Sequence, residues 1–324
     1  MSKQTCDCPK FKTMCGGQAL IEGIMMRGPQ KQAVVVRRPD GELEIQEKEL
    51  KFIKDKYPVL GWPLIRGVVN FCDSMYNGVT ALMYSAEFFP EDGEEEEEPS
   101  KLERWLNDRL GSEKFTALIT TLAVILGIGM SIGLFFLLPT LLGGVINVVF
   151  PGNMLARNLA ESFLKLLIFV AYLALCSRMG EMKRVFSYHG AEHKTIFCYE
   201  AGLPLTVENV RIQPRHHPRC GTSFLFMVIA ISIIVSTVVF AIWPVYHPIL
   251  RFLAHLAMLP LIVGISYEIN RWAGRHDGPL TRIFIAPGLW LQNFTTFEPD
   301  DSMIEVGIKA LELVLPEEKG ADAW

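Results

Sequence analysis

The segment Tyr188-His189-Gly190-Ala191-Glu192-His193-Lys194 has the residue types and the spacing that could do chemistry. It contains the pattern H-x-x-E-H. Residues four apart lie on one face of an α-helix, so the imidazoles of His189 and His193 could bind one metal ion. Glu192 projects near that face, where its carboxylate could act as the general base in metal-assisted hydrolysis, as in the inverted zincin arrangement. The spacing therefore predicts two metal ligands and one base.

A zinc centre needs a third protein ligand, and the sequence offers candidates at other positions expected on the same side of a membrane. His217 and Cys220 are close in sequence, and Glu268 lies near the end of an apolar segment. Thiolate and imidazole ligands suit zinc, whereas a carboxylate also suits manganese or iron. The candidate ligands of a divalent metal, with zinc favoured, are therefore His189, His193, His217, Cys220 and Glu268.

The same residues also allow a purely structural interpretation. Gly190 weakens the helix between the two histidines, and His189 could simply form a hydrogen bond to a neighbouring loop. Glu192 could pair with Lys194 or Arg215. Short motifs also match by chance. On the sequence alone, a metal centre and a hydrogen-bonded cluster both stay open.

Long uncharged segments must position these residues. Half of the residues are hydrophobic, and no Lys, Arg, Asp or Glu occurs in residues 115–156 or in residues 220–250. A helix needs about 20 largely apolar residues to cross the hydrocarbon core of a bilayer. Four transmembrane helices are therefore predicted, at residues 115–138, 159–176, 222–243 and 249–267. Residues 140–153, which follow Pro139, are expected to form an outer loop.

The basic residues favour one orientation in the membrane. Short loops rich in Lys and Arg stay on the cytoplasmic side. The connection between the second and third spans holds Arg178, Lys183, Arg184, Lys194, Arg211, Arg215 and Arg219. With four spans, both termini are then expected in the cytoplasm of a multi-pass plasma-membrane protein. The N-terminus shows no signal-peptide pattern, so insertion is expected through the internal spans.

A small β-containing region is expected before the spans. Residues 32–38 and 42–46 should form a β-hairpin around the turn Pro39-Asp40-Gly41. Residues 64–89 have the periodicity of an amphipathic helix that lies on the membrane or packs on the bundle. The predicted fold class is a mainly α, polytopic membrane protein. It has about four transmembrane helices and a small N-terminal cytosolic region with a β-hairpin.

Two features of the C-terminal segment predict its local structure. Residues 280–297 are apolar but interrupted by Pro287-Gly288, which predicts a break. Ser302 and Glu305 have the spacing of a capping box, followed by one apolar face, which predicts a short helix. The expected divisions of the chain are a cytosolic β-containing region at 1–63, the amphipathic helix at 64–89, an acidic linker and short helix at 90–114, a transmembrane hairpin at 115–177, a cytosolic His/Cys loop at 178–221, a second transmembrane hairpin at 222–270 and a cytosolic segment at 271–324.

Other residues with chemical potential favour structural interpretations. Cys6-Asp7-Cys8 and Cys15 could hold a soft metal, but a mobile tail is the usual state near a terminus. The seven cysteines show no disulfide framework, as expected in a reducing compartment. His255 lies inside the fourth span, where a polar side chain usually faces the bundle interior. No basic patch interleaved with aromatic residues occurs, so nucleic acid is not an expected partner.

Three motifs resemble the signatures of the YqhQ-like family of bacterial membrane proteins. They are GGQALIEGIMMRGP at residues 16–29, YHGAEHKT at 188–195 and HPRCGTSF at 217–224. The resemblance covers nearly the whole chain. It implies a predicted metal-dependent enzyme without an assigned reaction. It also implies that one site contains His189, Glu192, His193, His217 and Cys220.

The leading functional prediction is a membrane-bound metal-dependent enzyme, a hydrolase, with its site on the cytoplasmic face. His189 and His193 would bind a divalent metal, and Cys220 or His217 would complete the ligand set. Glu192 would be the general base. Membrane lipid is an expected partner, and the expected substrate is a membrane-associated molecule. The alternative is a non-enzymatic membrane scaffold or assembly factor in which the His/Cys cluster is structural.

Overall fold

The computed structural model describes residues 11–89, 111–149, 152–276, 278–318 and 320–323. The acidic linker and the Cys6 and Cys8 positions lie outside these residues. The strands are β1 (Gly16–Leu20), β2 (Gly23–Arg27), β3 (Lys31–Arg37) and β4 (Leu43–Glu49). The helices are α1 (Ile53–Lys56), α2 (Ile65–Ala86), α3 (Ser112–Ile132), α4 (Leu138–Val149), α5 (Met154–Cys176), α6 (Gly180–Glu200), α7 (Val207–Arg211), α8 (Gly221–Ile242), α9 (Pro248–Arg275), α10 (Pro279–Thr295) and α11 (Asp301–Glu312).

The chain divides into two compact units. The first contains residues 1–89, 170–232 and 259–324, and the second contains residues 90–169 and 233–258. The first unit holds the sheet and the H-x-x-E-H segment, and the second holds parts of the longest apolar helices.

The four strands form one antiparallel sheet in the order β1-β2-β3-β4. The predicted hairpin corresponds to β3 and β4, which pair from Lys31 opposite Glu49 to Arg37 opposite Leu43. The segment before the hairpin, at residues 16–27, adds β1 and β2, which were not predicted. Those two strands are joined by a tight turn in which Glu22 has a φ of +49°.

The first unit is built around β2, β3, α6 and α11. Ile24 of β2 and Val35 of β3 face each other across the sheet and are fully buried. They pack in one apolar core with Ile196 of α6 and with Ile304 of α11. The segment expected as a cytosolic loop at 178–221 is therefore mostly helical, because the apolar side of α6 is needed to cover the sheet.

The N-cap of helix α11 lies two residues before Ser302, which the capping-box pattern had indicated. Its N-cap is Asp300, whose side chain accepts a hydrogen bond from the backbone N–H of Met303 at 3.0 Å. Ser302 instead donates its hydroxyl to the Asp300 carboxylate at 2.6 Å. A carboxylate at the N-cap also interacts favourably with the helix dipole, which explains why the helix starts there.

Replacing Asp300 with alanine is expected to destabilise the protein by about 1 kcal/mol, because the first turn of α11 loses its side-chain acceptor. Thermal unfolding of the purified protein measures the change. Replacing the exposed Glu312 at the other end of α11 with alanine is the matched control and should have little effect. Equal losses for the two variants would contradict Asp300 as the N-cap.

Among the residues that the structure describes, four helices are long and apolar enough to cross a membrane. They are Leu118–Val145, Met154–Cys176, Gly221–Ile242 and Pro248–Arg275. The number of candidate spans agrees with the sequence prediction. The outer loop predicted at 140–153 is wrong over most of its length, because the chain stays helical to Val149. A π-helical turn at Gly133–Leu137 precedes Pro139, which then occupies the first turn of α4, where proline is tolerated.

The break predicted at Pro287 is also absent, because α10 runs through it to Thr295. Tertiary contacts hold this helix in place. A Cβ atom at Gly288 would lie 2.6 Å from Ser223 Oγ, which shows how closely α10 approaches α8. The buried side chain of Gln292 donates to the backbone oxygen of His217 at 2.8 Å. These contacts outweigh the local cost of the proline.

Candidate metal centre

Three metal-binding side chains from two segments meet in the first unit. Ligand atoms of His189, His193 and Cys220 all lie within 4.8 Å of one another. His189 and His193 extend from consecutive turns of α6, as the H-x-x-E-H spacing predicts, and their rings are 4.3 Å apart between centroids. Cys220 is the residue immediately before the start of α8. His193 and Cys220 are buried, and His189 is half-buried.

Backbone carbonyls fix the orientation of both imidazoles. His189 Nδ1 lies 2.7 Å from the oxygen of Thr295, and His193 Nδ1 lies 2.5 Å from the oxygen of Arg215. A carbonyl oxygen can only accept, so each Nδ1 must carry the hydrogen. A neutral ring with its hydrogen on Nδ1 presents an unprotonated Nε2. This is the arrangement in which protein histidines bind metals while their other nitrogen donates to a carbonyl.

The start of α8 holds Cys220 in position as the third candidate ligand. Its backbone oxygen accepts the first hydrogen bonds of the helix, and its Sγ accepts the N–H of Thr222 at 3.4 Å. Burial raises the pKa of the thiol, but the His193 ring and the hydrogen bonds with Thr222 outweigh burial and hold the pKa below its ordinary value. Low-pKa thiols at helix N-termini are the reactive and metal-binding ones.

The three candidate ligands therefore direct more lone pairs than hydrogen atoms at one point. His189 Nε2 lies 3.1 Å from Cys220 Sγ, and burial lowers the pKa of His193 to about 4, so its ring is neutral at pH 7. The thiol has one proton to share between two Nε2 acceptors. In tetrahedral zinc sites the ligand atoms lie about 2.0–2.3 Å from the ion, which puts them roughly 3.3–3.8 Å from one another. The ligand atoms of this set, all within 4.8 Å of one another, are close to that spacing. The donor set fits a divalent cation of the zinc type.

Glu192 lies beside this cluster, and one of its two carboxylate oxygens accepts a hydrogen bond. Oε1 accepts the backbone N–H of Gly17 at 2.9 Å. Oε2 is buried and has no hydrogen-bond partner among the residues that the structure describes. Burial raises the pKa of Glu192 to about 7, and the nearby His189 offsets only part of that effect. The structural interpretation allowed Glu192 to pair with Lys194, but Lys194 binds Glu298 at 2.6 Å instead.

Two glycines allow the backbone to approach this region closely. A Cβ atom at Gly17 would lie 3.1 Å from Cδ of Glu192 and 2.5 Å from the oxygen of Met25. A Cβ atom at Gly190 would overlap the carbonyl oxygen of Phe297. The helix-weakening glycine between the two histidines is thus required by packing, because the segment that holds Thr295 passes directly against α6.

The structure does not place His217 and Glu268 among the converging ligands. The His217 ring is 5.5 Å from the His193 ring between centroids, but its Nε2 faces the Glu200 carboxylate at 3.7 Å. Glu268 binds the guanidinium of Arg66, with Arg66 Nε 2.7 Å from Oε1. Both residues are therefore already paired, which leaves His189, His193 and Cys220 as the ligand set.

Several residues of the centre could not be found from the sequence. Thr295 and Arg215 contribute backbone oxygens, which no side-chain pattern reveals, and Thr295 is 106 positions from its partner. Gly17 contributes a backbone N–H. It belongs to one of the three motifs that carry the family resemblance, which was the one available signal that residues 16–29 contribute to the site.

Comparison with known proteins gives one family and one curated relative. A family described as "Protein of unknown function (DUF1385)" matches residues 62–317. The chain is 35% identical over 303 residues to "Uncharacterized protein YqhQ" of Bacillus subtilis (strain 168), which covers 93% of this chain and 92% of that protein. No solved structure matches the chain.

Proposed function

Because the chain belongs to the DUF1385 family of unknown function, we propose from its own residues that it is a membrane-bound metal-dependent hydrolase. The same match confirms the resemblance to the YqhQ-like family. The convergence of His189, His193 and Cys220 on one point carries the proposal. Zinc is the ion that two imidazoles and one thiolate favour. Three protein ligands leave a fourth position for water or substrate, as in catalytic zinc sites.

Glu192 is the proposed general base. A bound divalent ion would supply Lewis-acid chemistry to the reaction. Glu192 follows the first ligand by three residues and precedes the second by one, so its carboxylate lies at the edge of the ligand cluster. Gly17 holds Oε1, and Oε2 has a free lone pair that could accept a proton. The exclusion of bulk water by burial would strengthen the electrostatic interactions of this carboxylate.

The substrate is proposed to be associated with a membrane. Cys220 immediately precedes α8, which is one of the candidate spans, so the metal centre lies at the end of an apolar helix. A site at that position would face the membrane surface. Lipid-linked and peptide substrates presented at the surface fit this location, and the distribution of basic residues favours the cytoplasmic side.

Replacing Glu192 with glutamine is the test of the enzymatic proposal. The amide keeps the shape and accepts the Gly17 N–H, but it cannot take up a proton at the same position. We expect the purified full chain to keep its metal and to lose turnover about 100-fold or more, since general-base catalysis contributes at least that much. Ester, phosphoester and peptide substrates in mixed lipid–detergent micelles provide the activity screen.

The matched control is Glu312→Gln, which makes the same change at an exposed position of α11. It should leave both metal content and turnover at the wild-type level. Unchanged turnover in Glu192→Gln would contradict the assignment of the base. Loss of metal in Glu192→Gln would instead make Glu192 a structural part of the ligand shell.

A structural role is the second candidate function, and burial favours it. His193 is 1% exposed and Cys220 is 7% exposed, which is typical of closed structural metal sites. The cluster joins α6 to the segments that hold Arg215 and Thr295, so it could pin a scaffold protein together. Full restoration of a deletion phenotype by Glu192→Gln, with none by His193→Ala, would favour this role over catalysis.

A further inference from the structure

The second unit buries four charged side chains in its apolar helices. Arg157, Glu161 and Lys165 belong to α5, and Arg251 belongs to α9. Arg157 and Arg251 are each 1% exposed, and Glu161 and Lys165 are also buried. Both helices are candidate spans, in which ionisable residues are rare and mark functional sites.

One carboxylate serves both guanidinium groups. Arg157 Nε lies 3.2 Å from Glu161 Oε1, and Arg251 Nε lies 2.8 Å from the same carboxylate. Arg251 also donates to Asn158, and its guanidinium lies over the ring of Phe240 at 3.9 Å. The guanidinium of Arg251 and the carboxylate of Glu161 thus both have hydrogen-bond partners within the second unit.

The remaining groups carry an excess of positive charge. Three cationic side chains face one carboxylate, which leaves two positive charges if all four groups are ionised. Within the part of the chain that the structure describes, Lys165 forms no ion pair, and Arg157 Nη2 is buried without a hydrogen-bond partner. Leaving a buried donor unsatisfied destabilises the folded protein, and the effect is larger when the donor is charged.

Further unpartnered polar atoms lie in the same unit. Thr140 Oγ1 of α4 is buried without a partner among the described residues, and so is Nε2 of His255. The Nδ1 of His255 lies 2.9 Å from the oxygen of Arg251, which holds the ring beside the charged cluster. Arg157 Nη2 and Thr140 Oγ1 are thus two buried polar atoms that can donate a hydrogen bond and have no partner among the described residues. Buried polar atoms usually have a protein group, a water or a bound ligand as partner.

Two glycines of α4 allow this helix to pass close to the charged cluster. A Cβ atom at Gly143 would overlap Cγ of Glu161, so α4 passes directly against the carboxylate. A Cβ atom at Gly144 would lie 3.9 Å from Arg157 Nη2. Thr140 precedes Gly144 by four residues and therefore lies on the same face of α4.

We propose that this cluster binds an oxyanion, a phosphate group, through Arg157 Nη2, the Lys165 ammonium and the Thr140 hydroxyl. A guanidinium and an ammonium are the donors that proteins use for phosphate, and a hydroxyl adds a neutral hydrogen bond. One phosphate group would offset the excess positive charge and satisfy the orphaned donors. The site lies in the second unit and is independent of the proposed metal centre.

The phosphate group has two possible sources. Arg157 lies three residues after the start of α5, about one helical turn from the end of the span. Lys165 lies about two turns deeper, and a long lysine side chain can extend back toward that end. That depth suits the phosphate of an anionic lipid, and it also suits a free phosphate ion that enters from the same side. The chemistry of binding is the same for both sources.

The test uses the detergent-purified full chain and compares wild type with Lys165→Met and Thr140→Val. Both substitutions keep side-chain size while they remove one donor. Neither removes a hydrogen-bond partner of Glu161, whereas a change at Arg157 would remove one. One arm measures inorganic phosphate binding by equilibrium dialysis. The other reconstitutes the protein in phosphatidylcholine vesicles with or without phosphatidylglycerol and measures phosphatidylglycerol retained after repurification by mass spectrometry.

We expect one saturable site in wild type, and binding about tenfold weaker in Lys165→Met, because one charge-assisted hydrogen bond is lost. Lys48→Met, which removes an exposed lysine of β4, should bind as wild type does. Binding of inorganic phosphate would identify a free ion as ligand, and selective retention of phosphatidylglycerol alone would identify a lipid headgroup. Binding of neither probe, or equal binding by wild type and both variants, would overturn the proposal.

Discussion

Replacing His193 with alanine is expected to reduce the divalent metal of the purified protein from about one ion per chain to almost none. His193 is one of the three ligands that converge among the residues that the structure describes, and its ring is oriented by the oxygen of Arg215. Loss of a partner outside the ligand shell already weakens metal sites about 10- to 100-fold, so loss of a ligand should weaken this one more. Elemental analysis after purification without added metal measures the change and identifies the ion.

Two histidine variants make this experiment specific. His276→Ala removes an exposed ring that stacks on Trp272, and it should leave the metal content unchanged. His217→Ala should also keep the metal, because that ring faces Glu200 rather than the ligand cluster. Retention of metal by His193→Ala would refute the site. Absence of metal in wild type after reconstitution with zinc, manganese and iron salts would refute the metalloenzyme proposal as a whole.

The outcome also decides between the two interpretations that the sequence left open. In a hydrogen-bonded cluster without metal, a hydrogen atom would have to lie between each pair of neighbouring acceptor atoms. The carbonyls of Thr295 and Arg215 hold the ring hydrogens at Nδ1, away from the cluster. Only the thiol proton remains to link two Nε2 atoms and one sulfur. The geometry therefore favours a cation, although the sequence contained no information about those carbonyls.

The sequence predicted the ligands that lie on regular local structure. The spacing of His189 and His193 requires only a helix, and α6 provides it. The choice between Cys220 and His217 could not be made from spacing, because it depends on which side of the polypeptide faces α6. The backbone of His217 is held on both sides by the Gln292 amide, and this long-range contact turns its ring to Glu200.

The fold was predictable where periodicity decides it and not where packing decides it. The four candidate spans and the β3–β4 hairpin follow from apolar runs and a turn motif. Strands β1 and β2 were missed because their glycines resemble a loop, whereas Gly23 in fact allows close approach to β3, where a Cβ atom would lie 2.6 Å from the oxygen of Val35. Pro287 likewise stays helical because tertiary contacts outweigh a local cost.

Replacing Gly190 with alanine is expected to destabilise the protein strongly, although alanine is the better helix former by about 1 kcal/mol. The added Cβ would overlap the oxygen of Phe297, whose own N–H donates to the oxygen of Phe186 at 2.9 Å. Because the obstacle is backbone held by a hydrogen bond, it cannot rotate away. Overpacking of this kind costs about 1–3 kcal/mol, which corresponds to a fall of roughly 5 °C in melting temperature.

The same substitution should weaken metal binding, because any shift of the Phe297 segment also moves Thr295, whose oxygen orients His189. Gly180→Ala is the matched control, since Gly180 lies on the same helix and a Cβ atom there has no neighbour within 4 Å. The melting temperature of Gly180→Ala should equal or exceed that of wild type. Its metal content should be the same as that of wild type. If Gly190→Ala raised the melting temperature as helix propensity alone predicts, the close packing of the Phe297 segment on α6 would be wrong, and the fixed orientation of His189 would lose its support.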